Sequence, residues 1–167
     1  MTAAPGFWAF SKAIYAQAGV KEACLTLQAA GLDVNTALFV AWTIAIGRNP
    51  APVMGEVLSR SALWRASVVQ PLRDARNALK TAPDSVDAHA AAGLRQTVLQ
   101  AELDAERLQQ TALEPLAAAC PPREGPGRRA ETARALSEAA SACNAGPEAS
   151  AAIEQFAEIV FSRLENV

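Results

Sequence analysis

Apolar side chains recur along most of the chain at spacings of three and four, the period of a helix buried on one face. Phe7, Phe10 and Ile14 set the first such stretch, about residues 7–17, with Gly19 placed to end it. Val20, Ala23, Cys24 and Leu27 repeat the pattern over about 20–29, and Gly31 closes it. From 34 to 46 the chain is apolar nearly all round, with Leu38, Phe39, Val40, Trp42, Ile44 and Ile46, so this third helix is expected at the centre of the molecule. Asp33 precedes it as an N-cap, its carboxylate able to accept the free N–H groups of the first turn. No stretch alternates with period two, which makes the class all-α.

Pro50 and Pro52 interrupt the helical pattern. From 53 to 80, Trp64, Val68, Leu72, Ala75 and Leu79 resume it, with Pro71 inside; a proline there removes a backbone hydrogen bond and crowds the preceding turn, predicting a kink near Ser67 to Gln70. After Thr81-Ala82-Pro83-Asp84 comes the longest helix, about 85–113. Its Leu94, Val98, Ala101, Ala105, Leu108 and Ala112 alternate spacings of four and three, the seam of a helix packed antiparallel on its neighbour. Cys120-Pro-Pro-Arg-Glu-Gly-Pro-Gly reads as an exposed loop, and two helices follow over about 128–143 and 147–164, the last burying Ile153, Phe156, Val160 and Leu164. The predicted object is a single-domain all-α bundle of six to seven helices: a cap over 1–47, a long antiparallel helical hairpin over 53–119, a Pro/Gly loop over 120–127 and two C-terminal helices over 128–165.

Composition narrows the class further. The 167 residues suffice for one domain without covalent staples. Much of the 51% hydrophobic content is alanine, which predicts a thin core with helices in close approach, while Phe7, Trp8, Phe10, Tyr15, Phe39 and Trp42 concentrate the aromatics in the N-terminal third. A net charge of -2 gives no global field toward nucleic acid or an anionic membrane. Cys24, Cys120 and Cys143 form no C-x-x-C pair, so reduced thiols and a cytoplasmic location are expected. The start of the chain lacks the basic region of an export signal, and the apolar run 37–47 is about half of the ~20 residues needed for a membrane span.

Chemistry is sparse. The single histidine, His89, leaves no Ser-His-Asp or Cys-His pair outside itself, and without metal-ligand spacing around it reads as a solvated residue. No phosphate-loop or dinucleotide motif occurs. No catalytic residue, metal ligand or cofactor is assigned. Glu102, Asp104 and Glu106 are expected to form inter-helix ion pairs with Arg60 and Arg65, pairs whose loss costs little. Arg73, Arg76 and Lys80 form a basic stripe, and Arg123, Arg128 and Arg129 a second cluster; either could hold an anion, but without interleaved aromatics nucleic acid is not the expected partner. Cys120 is the expected exposed thiol. Trp8, Tyr15, Trp42 and Trp64 either belong to the core or line a pocket, with Ser11, Asp33 and Asn35 as nearby hydrogen-bonding groups.

F-W-x-F-S at 7–11 with Tyr15, G-V-x-x-A-C-L-x-L-Q at 19–28, G-L-D-V-N at 31–35, Leu38-Phe39 and Trp42, W-R-x-x-V-V-x-P-L-R at 64–73 and A-E-L-x-A-E-R-L-Q-Q at 101–110 together resemble a proteobacterial family of all-helical proteins catalogued as a domain of unknown function. The resemblance covers about two thirds of the chain and implies a bacterial, cytoplasmic protein; it brings no catalytic or ligand residue with it. Without a catalytic constellation, and with aromatic anchors gathered in one region, the expected role is a non-enzymatic interaction module that docks another protein or its own copy. The alternative is a small-ligand binder or enzyme using Trp8, Ser11, Tyr15, Asp33, Asn35, Trp42, Trp64 and Arg73.

Overall fold

A computed structural model of the protein describes residues 5–124 and 127–164. Its regular structure is helical: α1 Phe7–Tyr15, α2 Val20–Ala29, α3 Val34–Ala45, α4 Met54–Trp64, α5 Gln70–Ala78, α6 Ala88–Leu113, α7 Arg128–Ala142 and α8 Ala149–Leu164. A π-helical turn, Arg65–Val69, joins α4 to α5, so the two form one long arm that folds back on α6. The described residues form no strand; the single bridge pairs Arg48 with Pro122.

The most apolar segment takes the central place its pattern predicts. α3 buries every residue from Asn35 to Ile44 and packs against α1, α2, α4, α6 and α7. Phe7 stacks on Trp42 at 5.2 Å and meets Phe39 edge-on at 5.7 Å, both favourable ring geometries. The C-terminal helices complete this globule. α8 packs on α2 and α7, burying Ile153, Phe156, Val160 and also Phe161; the Leu164 side chain lies outside the described residues. Buried alanines such as Ala133, Ala140, Ala152 and Ala157 give the close approach expected of an alanine-rich core. At the α1–α2 corner Gly19 has φ +86°, and a Cβ there would run into Cδ1 of Ile159.

The arm departs from expectation in its register. Leu94 and Leu108 are 54% and 59% exposed, Ala101 and Ala112 are exposed too, and the buried face of α6 carries Ala91, Glu102, Ala105, Gln109, Gln110 and Leu113. The leucines therefore point outward and a half-polar face points in, because the arm offers arginines where a seam would need leucines. Arg73 donates Nε to Glu102 at 2.9 Å and Nη2 to Glu106 at 3.1 Å, and Arg76 Nε reaches Glu102 at 2.6 Å. These replace the expected Arg60 and Arg65 pairings: Arg60 is taken by Glu56 one turn away and by the carbonyl of Ala112, and Arg65 has no ion pair among the described residues. Pro71 exerts its effect upstream as the π turn, where the Gln70 N–H bonds the Arg65 carbonyl.

The loop after α6 is anchored over part of its length. A 3-10 stretch, Glu114–Ala119, turns Cys120 inward; Arg48 Nη1 caps the Cys120 carbonyl at 2.8 Å, and Asn49 N–H bonds the Pro121 carbonyl. Cys120 is therefore buried, and the exposed thiol is Cys143. Of the expected loop, Gly125 and Pro126 lie outside the described residues. Arg123 is bound by Glu131 and Arg129 by Glu158, so most of the second basic cluster is also paired.

Candidate functional site

Where the arm, α6 and the N-terminal helices meet, they leave a pocket of about 220 Å³. α1 contributes Trp8, Ser11, Lys12 and Tyr15, its outward face once Phe7, Phe10 and Ile14 have entered the core. The α2–α3 junction contributes Gln28, Leu32 and Asp33, and the first turns of α3 add Val34, Asn35 and Leu38. Opposite stand Arg65 and Val69 of the π turn and Arg73 of α5. α6 closes the floor with Leu103, Glu106, Gln109 and Gln110.

Asp33 ties the pocket to the fold. Its Oδ1 caps α3 by accepting the Thr36 N–H at 2.8 Å, and it also accepts the Thr36 hydroxyl at 3.0 Å and Gln109 Nε2 at 3.2 Å. From there a directed row of amides crosses the floor: Gln110 Nε2 donates to Asn35 Oδ1 at 2.7 Å, and Asn35 Nδ2 donates to Gln109 Oε1 at 2.8 Å. Buried amides are retained where their bonds are made, and here they lock α6 onto α3. Two atoms of the lining residues stand outside this network: Gln110 Oε1 and Ser11 Oγ are buried without a hydrogen-bond partner among the described residues.

The charged groups beside the floor are unequal. Burial pushes the Glu102 carboxyl up, but hydrogen bonds from Arg76 and Arg73 outweigh it and hold the group below its ordinary value. Glu106, with only a share of Arg73, goes the other way: burial raises it, and the neighbouring Glu102 and Asp33 add to the rise against Arg73. Tyr15 is pushed up to about 12, by burial first and then by the charges of Cys24 and Glu106. At the mouth, Lys12 and Arg107 lie 6.0 and 5.7 Å from the Trp8 ring centre.

Of the residues singled out in the sequence, Trp8, Ser11, Tyr15, Asp33, Asn35 and Arg73 come together around this pocket. Trp42 and Trp64 do not line it. Trp42 is in the core with its indole N–H on the Pro5 carbonyl, and Trp64 pins the arm by donating to the Ala105 carbonyl at 2.9 Å. Sequence reasoning missed Glu106, Gln109 and Gln110 as lining residues. Their signal was present: Glu102 and Gln109 at i, i+7 and Glu106 and Gln110 at i, i+4 mark a polar stripe along one face of α6. No cluster of three or more His, Cys, Asp or Glu side chains able to hold a metal occurs among the described residues. No helix among them is long and apolar enough to cross a membrane.

The model of a protein family described as "Protein of unknown function (DUF2390)" matches residues 6–113. The chain belongs to the DUF2390 family. No curated protein and no solved structure matches it. Every residue lining the pocket, from Trp8 to Gln110, falls inside the DUF2390 segment, whereas α7 and α8 lie beyond it. The DUF2390 part of the chain thus supplies the whole wall, and the C-terminal helices support it from behind by packing on α2 and α3.

Proposed function

We propose that this protein is a non-enzymatic, small-ligand-binding helical protein whose site is the pocket between α1, α3, the π turn and α6. One observation carries the reading: an apolar-walled pocket is floored by buried, mutually bonded amides, and two buried polar atoms of its lining residues have no partner among the described residues. A pocket with apolar walls and a few convergent polar groups is the usual form of a ligand site. Asp33 is committed to the α3 cap and Glu102 to two arginines, which supports binding over proton transfer. Screening the folded chain by NMR against a fragment library tests this. Chemical-shift changes clustered on Ser11, Tyr15, Asn35 and Gln110 are expected, and a library that moves none of them refutes it.

Docking, the role first expected from the sequence, keeps one specific support. Leu94, Ala101 and Leu108 form an exposed stripe at seven-residue intervals that no element among the described residues covers. Its symmetry about Ala101 suits antiparallel pairing with a second copy, which sets Leu94 of one α6 against Leu108 of the other. Light scattering over a concentration series is expected to show a dimer that Leu108→Glu abolishes; a monomer at every concentration removes this reading.

A further inference from the structure

The pocket's unmet hydrogen bonds define a ligand class, an inference that rests on the ligand-binding reading above. Ser11 and Gln110 are 4% and 3% exposed and their Oγ and Oε1 are sealed from solvent, so a ligand in the pocket meets these two oxygens once the side chains turn toward it. The amide row has a direction. Each N–H points toward Asp33, and Gln110 ends the row with an oxygen, an acceptor in need of a donor. Glu106 presents a second acceptor: its Oε1 takes one bond from Arg73, whose Nε is already on Glu102.

A carboxylate or phosphate brings only acceptors, which would face Gln110 Oε1 and the Glu106 carboxylate. A protonated amine brings three donors and a positive charge, answering both and leaving a bond for the Ser11 hydroxyl. Leu38, Val69, Leu103 and the Trp8 indole provide apolar surface for the rest of the molecule. A volume of 220 Å³ corresponds to about seven waters at ~30 Å³ each, the size of a small single-ring compound. Lys12 and Arg107 stand by Trp8 at the mouth, and Arg65 is half-buried on the π turn. With no acid partner among the described residues, these three favour an outward-facing carboxylate on the ligand's tail and oppose a second cation there.

We infer that the pocket takes a small ligand with a protonated amine head, directed at Gln110, Ser11 and Glu106, and an apolar body lying between Trp8 and Leu103. The raised Glu106 carboxyl agrees, since an ammonium group beside it supplies the positive charge that its share of Arg73 does not.

Calorimetric and NMR titration of the full chain at neutral pH with three matched probes, phenethylamine, 3-phenylpropionate and 3-phenylpropanol, tests the inference. Phenethylamine is expected to bind at least about tenfold more tightly than the other two, moving the Ser11, Asn35 and Gln110 resonances. Glu106→Gln is expected to remove about tenfold of the amine's affinity and to weaken the alcohol's less. Should Glu106→Gln fail to fold, Glu106→Asp provides the comparison, because it keeps the charge but withdraws the carboxylate by one methylene and is expected to weaken the amine more than the alcohol. Preferential binding of the carboxylate or the alcohol at the same resonances overturns the amine class and leaves the ligand-binding reading standing. Binding by none of the three overturns the inference, and failure of the fragment library as well overturns both.

Discussion

The globule of α1–α3, α7 and α8 and the hairpin that the arm forms with α6 are both all-helical but are held together differently. In the globule, Phe7, Phe39, Phe156, Leu136 and Ile153 are almost wholly buried, and association follows the apolar area removed from water. In the arm, α5 buries no residue completely, and its grip on α6 comes from Trp64 and the Arg73–Arg76–Glu102–Glu106 cluster. Apolar packing is indifferent to pH and tolerant of small rotations. A cluster of charge-assisted hydrogen bonds is neither, so the arm is the part of the molecule that solution conditions reach first.

Substitutions can break this contrast. Phe39→Ala, in the middle of the globule, is expected to cost about 3–5 kcal/mol by urea denaturation, since it leaves a cavity beneath Phe7 and Trp42. A loss under about 1 kcal/mol would mean the aromatic cluster is not the main support. Glu102→Gln is expected to cost about 2 kcal/mol, because Glu102 is only 6% exposed and both arginines lose their shared acceptor. Hydrogen exchange should place that loss in α5 and the facing turns of α6, with α3 unchanged; uniform loosening would deny the arm its independence.

The two carboxyls also give opposite pH slopes. Glu102 has a folded pKa below its ordinary 4.5, so its stabilisation is present above 4.5 and is lost as pH falls through the lower folded value. Glu106 has a folded pKa above 4.5, so its proton binds the folded state more tightly and stability declines as pH rises from 4.5 through the raised value. Urea midpoints against pH should lose the acid limb in Glu102→Gln and the decline above 4.5 in Glu106→Gln. A profile unchanged by either variant would contradict the paired assignments.

Smaller effects sharpen the boundary. Gly19→Ala is expected to cost about 1–2 kcal/mol from the positive φ, with some further displacement of Ile159. Leu108→Ala is expected to change monomer stability by less than about 0.5 kcal/mol, since that leucine is exposed. Were Leu108 in the inter-helix seam that its spacing implies, the same change would cost about 2–5 kcal/mol. This last measurement decides the register of α6 at little effort.

These contrasts also explain what was legible in the sequence. Where apolar area decides, periodicity was enough: the central place of α3, the faces of α1 and α2 and the Asp33 cap all follow from residue spacing. On α6 two faces compete. Leu94 and Leu108 mark one, and Glu102, Gln109 and Gln110 the other; hydrophobicity favours the first, yet Arg73, Arg76, Asp33 and Asn35 satisfy the second from other helices. A partner 26 to 76 residues distant leaves no mark in local periodicity. For the same reason the pocket was half-visible, its α1 and α3 residues singled out and its floor missed.

The π turn at Arg65–Val69 has a consequence for length as well as for shape. Trp64 and Arg73 both engage α6, yet nine residues of ideal α-helix would turn them roughly 180° apart at roughly 100° per residue. The wide turn absorbs one residue and brings them to roughly 80°, close enough to address one neighbour. The arm therefore counts residues. Removing a single residue between Trp64 and Pro71 would let the wide turn close to ordinary α-helix with Trp64 and Arg73 still roughly 80° apart, whereas adding one would turn the arginines off Glu102 and the pocket wall away from Asn35. A point substitution or a one-residue deletion in the same stretch would be forgiven, but an insertion would not.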